Sequence, residues 1–211
     1  MKYDFLYSIG DSFCFGIDQY DDVYREVKKE HIYSQLIADH FNLDLVNLGS
    51  PGCGNESIFN TIYQTLPKYI NDKLNPLVIV AYTCHSRVEL FDNQSGCVKT
   101  IFDDTESLVY KEYMLNHYNE DYNIQCSISY INAIRTLFKL HNVNYVEAVS
   151  LGNIGFYIDL DIPTPMSYMS EPDHYFYLDD KKTIRGHPKI EGHAVIANKI
   201  IEMYQKKYET T

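Results

Sequence analysis

The chain has 211 residues, 45% of them hydrophobic and 22% charged, with a formal net charge of −11. That length supports one well-buried domain and gives no reason to expect two. The acidic balance argues against a general nucleic-acid binder, which needs a basic face, and gives no electrostatic attraction to an anionic membrane.

The first residues, MKYDFLYSIGDS, hold too short an apolar run for a signal peptide, and no stretch approaches the ~18 apolar residues of a membrane span. Residues 3–9 are rich in aromatic and branched side chains, stop at Gly10 and predict a buried strand. Ile32, Leu36, Ile37 and Phe41 recur at helical spacing over 31–41. A second strand covers 43–49 and ends in the turn-rich run SPGCGN. A helix over 55–70 carries Ile58, Ile62, Leu66 and Tyr69 on one face. LVIVAYT, residues 77–83, is the clearest buried strand.

Residues 85–118 lose this regularity and read as an excursion outside the core. A long helix follows over 120–141, with Ile124, Ile128, Ile131, Ile134 or Arg135, and Phe138 as its stripe. Residues 143–149 form a fourth strand and residues 150–186 are again irregular. Ile190, Ala194, Ala197, Ile201 and Tyr204 mark a terminal helix. Strands alternating with helices predict an α/β three-layer sandwich around a mostly parallel sheet, as a single domain. Ligands of such sheets bind beyond the carboxyl ends of the strands, where the distinctive short motifs fall.

Cysteine number is odd, at five, and no CxxC pair occurs. This is neither a disulfide framework nor a zinc knuckle, and the reducing cytoplasm is the expected compartment. Cys14, Cys53 and Cys84 are expected at the cleft floor as small buried apolar residues, with no metal. Tyrosine is abundant at 20 residues. It either fills half-buried positions or forms a carbohydrate- or partner-binding surface.

Four segments carry chemistry. GDSFCFG (10–16) follows the first strand. A serine on a strand-to-helix turn is exposed beside backbone N–H groups that can receive an oxyanion, although Asp-Ser there also reads as a simple helix cap. NLGSPGCGN (47–55) has three glycines in six residues, which admit close backbone approach to a ligand or serve a tight turn. In AYTCHSRVE (81–89), Thr83 can donate a hydroxyl proton to an oxyanion. Arg87 either binds an anionic substrate group or pairs structurally with Glu89, the favoured reading. In GHPKIEGH (186–193), Pro188 suits the first turn of a helix and keeps His187 at a fixed loop-to-helix junction. His193, more than a turn later, is expected to be structural or solvent-facing.

Together these segments resemble the SGNH (GDSL-type) hydrolase family in order and spacing, from Gly10 to His193. The resemblance implies Ser12 as nucleophile, with its backbone N–H in the oxyanion hole together with Gly52, and His187 as general base. The sequence departs from the family at two places. Thr83 stands where the family has an asparagine, and Ile184 stands where it has the aspartate that orients the histidine. The upstream carboxylates Asp179 and Asp180 are the candidate orienting acids, with a Ser–His dyad as the favoured alternative. The Y-T block with a trailing R-x-E is similar to a divergent, often virus-encoded branch, which would place the protein in host cytoplasm or a virion.

The implied reaction is acyl transfer from a small-molecule or glycan ester to water, needing no metal or organic cofactor. A small acyl group on a sugar is the favoured substrate, with Asp11, Asn55 and Arg87 as candidate contacts. The tyrosines of the excursion would supply stacking faces. A non-catalytic glycan-binding or virion-associated module of the same fold is one alternative. A sugar O-acetyltransferase is a second, and a flavodoxin-like phosphate binder using the loops at 10–16 and 49–54 is a third. Nucleic acid and membrane are not expected partners, and the sequence does not fix the oligomeric state.

Overall fold

A computed structural model describes residues 2–20, 23–26, 28–92, 97–101, 108–150, 160, 162, 175–177 and 184–209. In chain order the elements are β1 (Phe5–Ile9), α1 (Ser12–Phe15), β2 (Ile17–Tyr20), β3 (Val23–Glu26), α2 (Tyr33–Phe41), β4 (Asp44–Asn47), α3 (Asn55–Asn71) and β5 (Pro76–Tyr82). They continue with β6 (Val88–Asp92), β7 (Cys97–Ile101), α4 (Leu108–Asn116), α5 (Glu120–Leu140), β8 (Asn144–Val149), β9 (Tyr175–Tyr177), β10 (Ile184–Pro188) and α6 (Ile190–Tyr208).

Four strands form a parallel sheet in the order β4-β1-β5-β8. Both faces of it are covered, so β1 and β5 are buried at every position, as parallel strands require. Pleat alternation splits β1 between two cores. Leu6 joins Ile79 and Ala81 under α2 and α6, where Ile37, Ile196 and Ile200 pack. Phe5, Tyr7 and Ile9 point the other way, onto Ile58 and Ile62 of α3 and Ile131, Ile134 and Phe138 of α5. The three-layer α/β sandwich expected from the sequence is therefore present.

The chain runs from β1 outward to β4 on one side, then returns past β1 to β5 on the other. This reversal makes the carboxyl ends of β1 and β5 the crevice in which such sheets bind ligands. Leu48 N–H donates to Ser8 O at 2.8 Å and Ser50 N–H to Gly10 O at 2.9 Å, so the loops after β1 and β4 leave the sheet side by side.

Three expectations change. The 85–118 excursion contains, among its described residues, the antiparallel β6–β7 pair and α4. In α5 the first two turns bury Asn123 and Ser127, while Ile124 and Ile128 are half-buried, because this end of the helix meets polar partners, Tyr113 at Asn123 and Asn55 at Ser127. In α6 the buried stripe is His193, Ile196, Ala197, Ile200, Ile201 and Tyr204, with Ile190 and Ala194 exposed. Among the described residues no helix is long and apolar enough to cross a membrane.

Candidate active site

Ser12 opens α1, and Asp11 caps it by accepting the Phe13 N–H at 3.0 Å. The one-turn helix is pinned from the β4 side. Asn47 donates Nδ2–H to Cys14 O at 2.8 Å, and its Oδ1 accepts the Gly49 N–H at 2.9 Å. Gly49 lies so close that a Cβ there would run into the Phe15 backbone nitrogen, so only glycine fits. The turn that carries Ser12 is thus held by side-chain and backbone contacts from the end of β4 and the loop after it.

His187 reaches the same point from the far end of the chain. Its Nε2 lies 2.8 Å from Ser12 Oγ, and its ring leans on Phe13 with centroids 5.7 Å apart. Burial lowers its pKa from the ordinary 6.5, with Asp11 opposing and Arg87 assisting. The shift favours the neutral imidazole, the form that can take a proton from a hydroxyl. The junction holding it differs from expectation: Pro188 ends β10 opposite Tyr175, and α6 begins only at Ile190. The proline closes a strand, where its fixed φ also suits extended backbone.

Ser50–Cys53 is a tight turn closed by Cys53 N–H to Ser50 O at 3.2 Å. Pro51 and Gly52 hold its central positions, and Gly52 has φ +77°, the arrangement of a type II turn. Gly52 is buried, and the thiol of the next residue, Cys53, donates to Gly10 O at 3.4 Å. Thr83 follows β5 and is fully buried; its N–H donates to Asn55 Oδ1 at 3.0 Å and its carbonyl accepts Asn55 Nδ2–H at 2.9 Å. Asn55 also lies 3.4 Å from Ser127 Oγ. One side-chain amide therefore locks the loops after β4 and β5 together, with α5 behind.

Arg87 does not pair with Glu89. Its Nη1 lies 2.8 Å from Asp11 Oδ2, whereas Glu89 Oε1 accepts the Gly54 N–H at 2.7 Å. The reason is burial: Asp11 is fully enclosed and needs a cation, while Glu89 finds a backbone donor at the start of α3. The three residues expected to contact substrate, Asp11, Asn55 and Arg87, are thus all engaged within the protein. His193 is wholly buried, not solvent-facing. Its Nδ1 accepts the Tyr33 N–H at 3.3 Å, capping α2, and burial drives its pKa down to about 3. Nothing in its spacing from His187 signals this role, because the partner is 160 residues away.

Cys14 and Cys53 are buried, with both thiols pushed upward by burial and Cys14 reaching about 12; Cys84 is half-buried near Ser86. The shared floor therefore holds two of the three expected cysteines. Among the described residues no group of three or more His, Cys, Asp or Glu is placed to hold a metal ion. Asp179 and Asp180 lie outside the described residues.

Comparison with protein-family models gives no match, and comparison with curated protein sequences gives none. Solved structures do match. The psychrotrophic esterase EstA from a Pseudoalteromonas species superposes with a TM-score of 0.52 at 9% identity, over 99% of this chain and 100% of that one. A member of the lipolytic G-D-S-L family from Veillonella parvula gives 0.43 at 11% identity, over 95% and 98%. A family two carbohydrate esterase from Clostridium thermocellum gives 0.46 at 14% identity, over 98% and 65%. At such identities the likeness is one of fold. No comparison supports the virus-encoded branch.

Proposed function

We propose that this chain is a serine esterase of SGNH type that hydrolyses a small acyl ester, with an O-acetyl group on a carbohydrate as the favoured substrate. The observation that carries the reading is the 2.8 Å approach of His187 Nε2 to Ser12 Oγ at the carboxyl edge of the sheet. Nucleophile and base within hydrogen-bond reach, on an element held from both sides, is the arrangement that activates a hydroxyl. Alignment over the full length of a known esterase fold supports it.

In this reading His187 Nε2 takes the Ser12 proton as Oγ bonds to the ester carbonyl carbon. The carbonyl electron pair moves onto oxygen, and the N–H groups of Ser12 and Gly52, with the Thr83 hydroxyl, receive that charge. Collapse breaks the bond to the leaving alkoxide, which takes the proton from His187. Water then repeats the sequence on the acyl-enzyme and frees Ser12. Asp11, Arg87 and Asn55 act as positioning residues.

Turnover of p-nitrophenyl acetate by the wild-type chain and by Ser12→Ala tests the proposal. Turnover in the wild type and its loss by several orders of magnitude in the variant are expected. Equal turnover by a folded Ser12→Ala protein would overturn it.

A further inference from the structure

Next to the Asp11–Arg87 pair, the amino end of α3, the loop after β5 and the first turns of α5 enclose a cavity of about 210 Å3. Arg87 forms part of its wall while holding Asp11, the residue before Ser12, so the cavity adjoins the candidate active site. Glu56, His85, Glu89, Tyr122, Asn123 and Tyr130 also line it. Its volume is below the roughly 300–1,000 Å3 of pockets for drug-sized ligands, so it suits one small ring.

The lining says which kind of ring. Two carboxylates, Glu56 and Glu89, face a guanidinium already bonded to Asp11 and the His85 ring, whose Nε2 lies 3.5 Å from Glu120, so neither is left over for an anionic ligand. Carboxylate oxygens accept from hydroxyls and suit a ligand that carries several of them. An aromatic run continues out of the cavity along α3 and α5: the Tyr130 ring lies 5.7 Å from Phe59, and Phe59 lies 5.9 Å from Tyr63. Tyr63, at the outer end of this run, is 60% exposed, and Tyr122, in the cavity wall, is 66% exposed. A phenol offers an apolar face and a polar tip, the complement of a sugar ring with its C–H face and hydroxyl edge.

We infer that this groove seats a neutral oligosaccharide, with one ring in the cavity against Tyr122 and Tyr130 and the next along Phe59 and Tyr63. The inference rests on the esterase reading and deepens it by placing the glycan part of the ester. It also moves the stacking faces from the 85–118 segment to α3 and α5.

The test titrates tetrasaccharides calorimetrically into Ser12→Ala protein, where turnover cannot intrude. Cellotetraose, xylotetraose and N-acetylchitotetraose are the neutral probes, and tetragalacturonate is the anionic one. At least one neutral probe is expected to bind, more tightly than tetragalacturonate. Adding Tyr122→Ala or Tyr63→Ala should weaken it about tenfold, while Tyr122→Phe should keep most of the affinity. Three results would overturn the groove: no binding of any neutral probe, binding unchanged by both alanine variants, or preference for tetragalacturonate. Turnover of p-nitrophenyl acetate by the wild-type chain is read separately. Turnover without glycan binding removes the groove alone, and glycan binding without turnover supports the groove and removes the esterase reading.

Discussion

Arg87 lies 2.8 Å from Asp11 across 76 residues of sequence, and so the residue immediately before Ser12 is held by a cation from the loop after β5. Asp11 is fully enclosed and the Arg87 side chain is 13% exposed. Removing the cation leaves a buried carboxylate unpaired, which costs about 3–5 kcal/mol. Arg87→Met should lose stability on that scale in urea denaturation. Adding Asp11→Asn, which can still cap α1, should recover part of the loss. Simple additivity of the two changes would show that the pair is not coupled.

Burial holds the His187 pKa below the ordinary 6.5. The base must be neutral to accept the serine proton, so kcat/KM should be flat near pH 7 and fall only as pH drops through a midpoint below 6.5. A pH–rate profile checks this. An acid limb centred above 6.5 would mean that His187 is stabilised in its charged form.

Thr83→Val keeps the shape of the side chain and removes the hydroxyl, while the backbone bonds to Asn55 persist. One oxyanion donor is worth about 2.7–4 kcal/mol, or 10²–10³ in kcat. A loss of that size with folding unchanged is expected. An unchanged kcat would leave the hole to the backbone donors alone.

The central sheet was legible because its signals are local. Continuous apolar runs at 77–83 and helical periodicity at Ile58, Ile62 and Leu66 follow from burial on one or both faces. The β2–β3 and β6–β7 pairs were not legible: each is a separate two-stranded antiparallel ribbon with strands of only four or five residues, too short for a periodic signal to stand out. In the site, Ser12, Gly52 and His187 stood in recognisable motifs. The contacts that position them, Asn55 with Thr83, Arg87 with Asp11 and His193 with Tyr33, join residues 28, 76 and 160 apart. Such pairs leave no spacing to read. Glu89, two residues from Arg87, is the nearer partner in sequence, and only the burial of Asp11 decides between them.

His193 should make the fold acid-sensitive. Its folded pKa of about 3 lies far below 6.5, so between those values the unfolded chain binds the extra proton. Stability is full above pH 6.5 and erodes as pH falls toward 3, by up to ~1.4 kcal/mol per pH unit. His193→Asn retains an acceptor for the Tyr33 N–H and cannot titrate. Its stability, measured by denaturation from pH 7 to pH 4, should fall less steeply than that of the wild type. Parallel curves would assign the acid sensitivity to other groups.

The central claim is that His187 activates Ser12 as a nucleophile. A p-nitrophenyl alkylphosphonate, which leaves a stable adduct on an activated serine, tests this most directly, with the product located by intact-protein and peptide mass spectrometry. One adduct per chain on Ser12 is expected, absent in Ser12→Ala and formed orders of magnitude more slowly in His187→Ala. An adduct on another residue, or labelling of Ser12 at the same rate without His187, would contradict it.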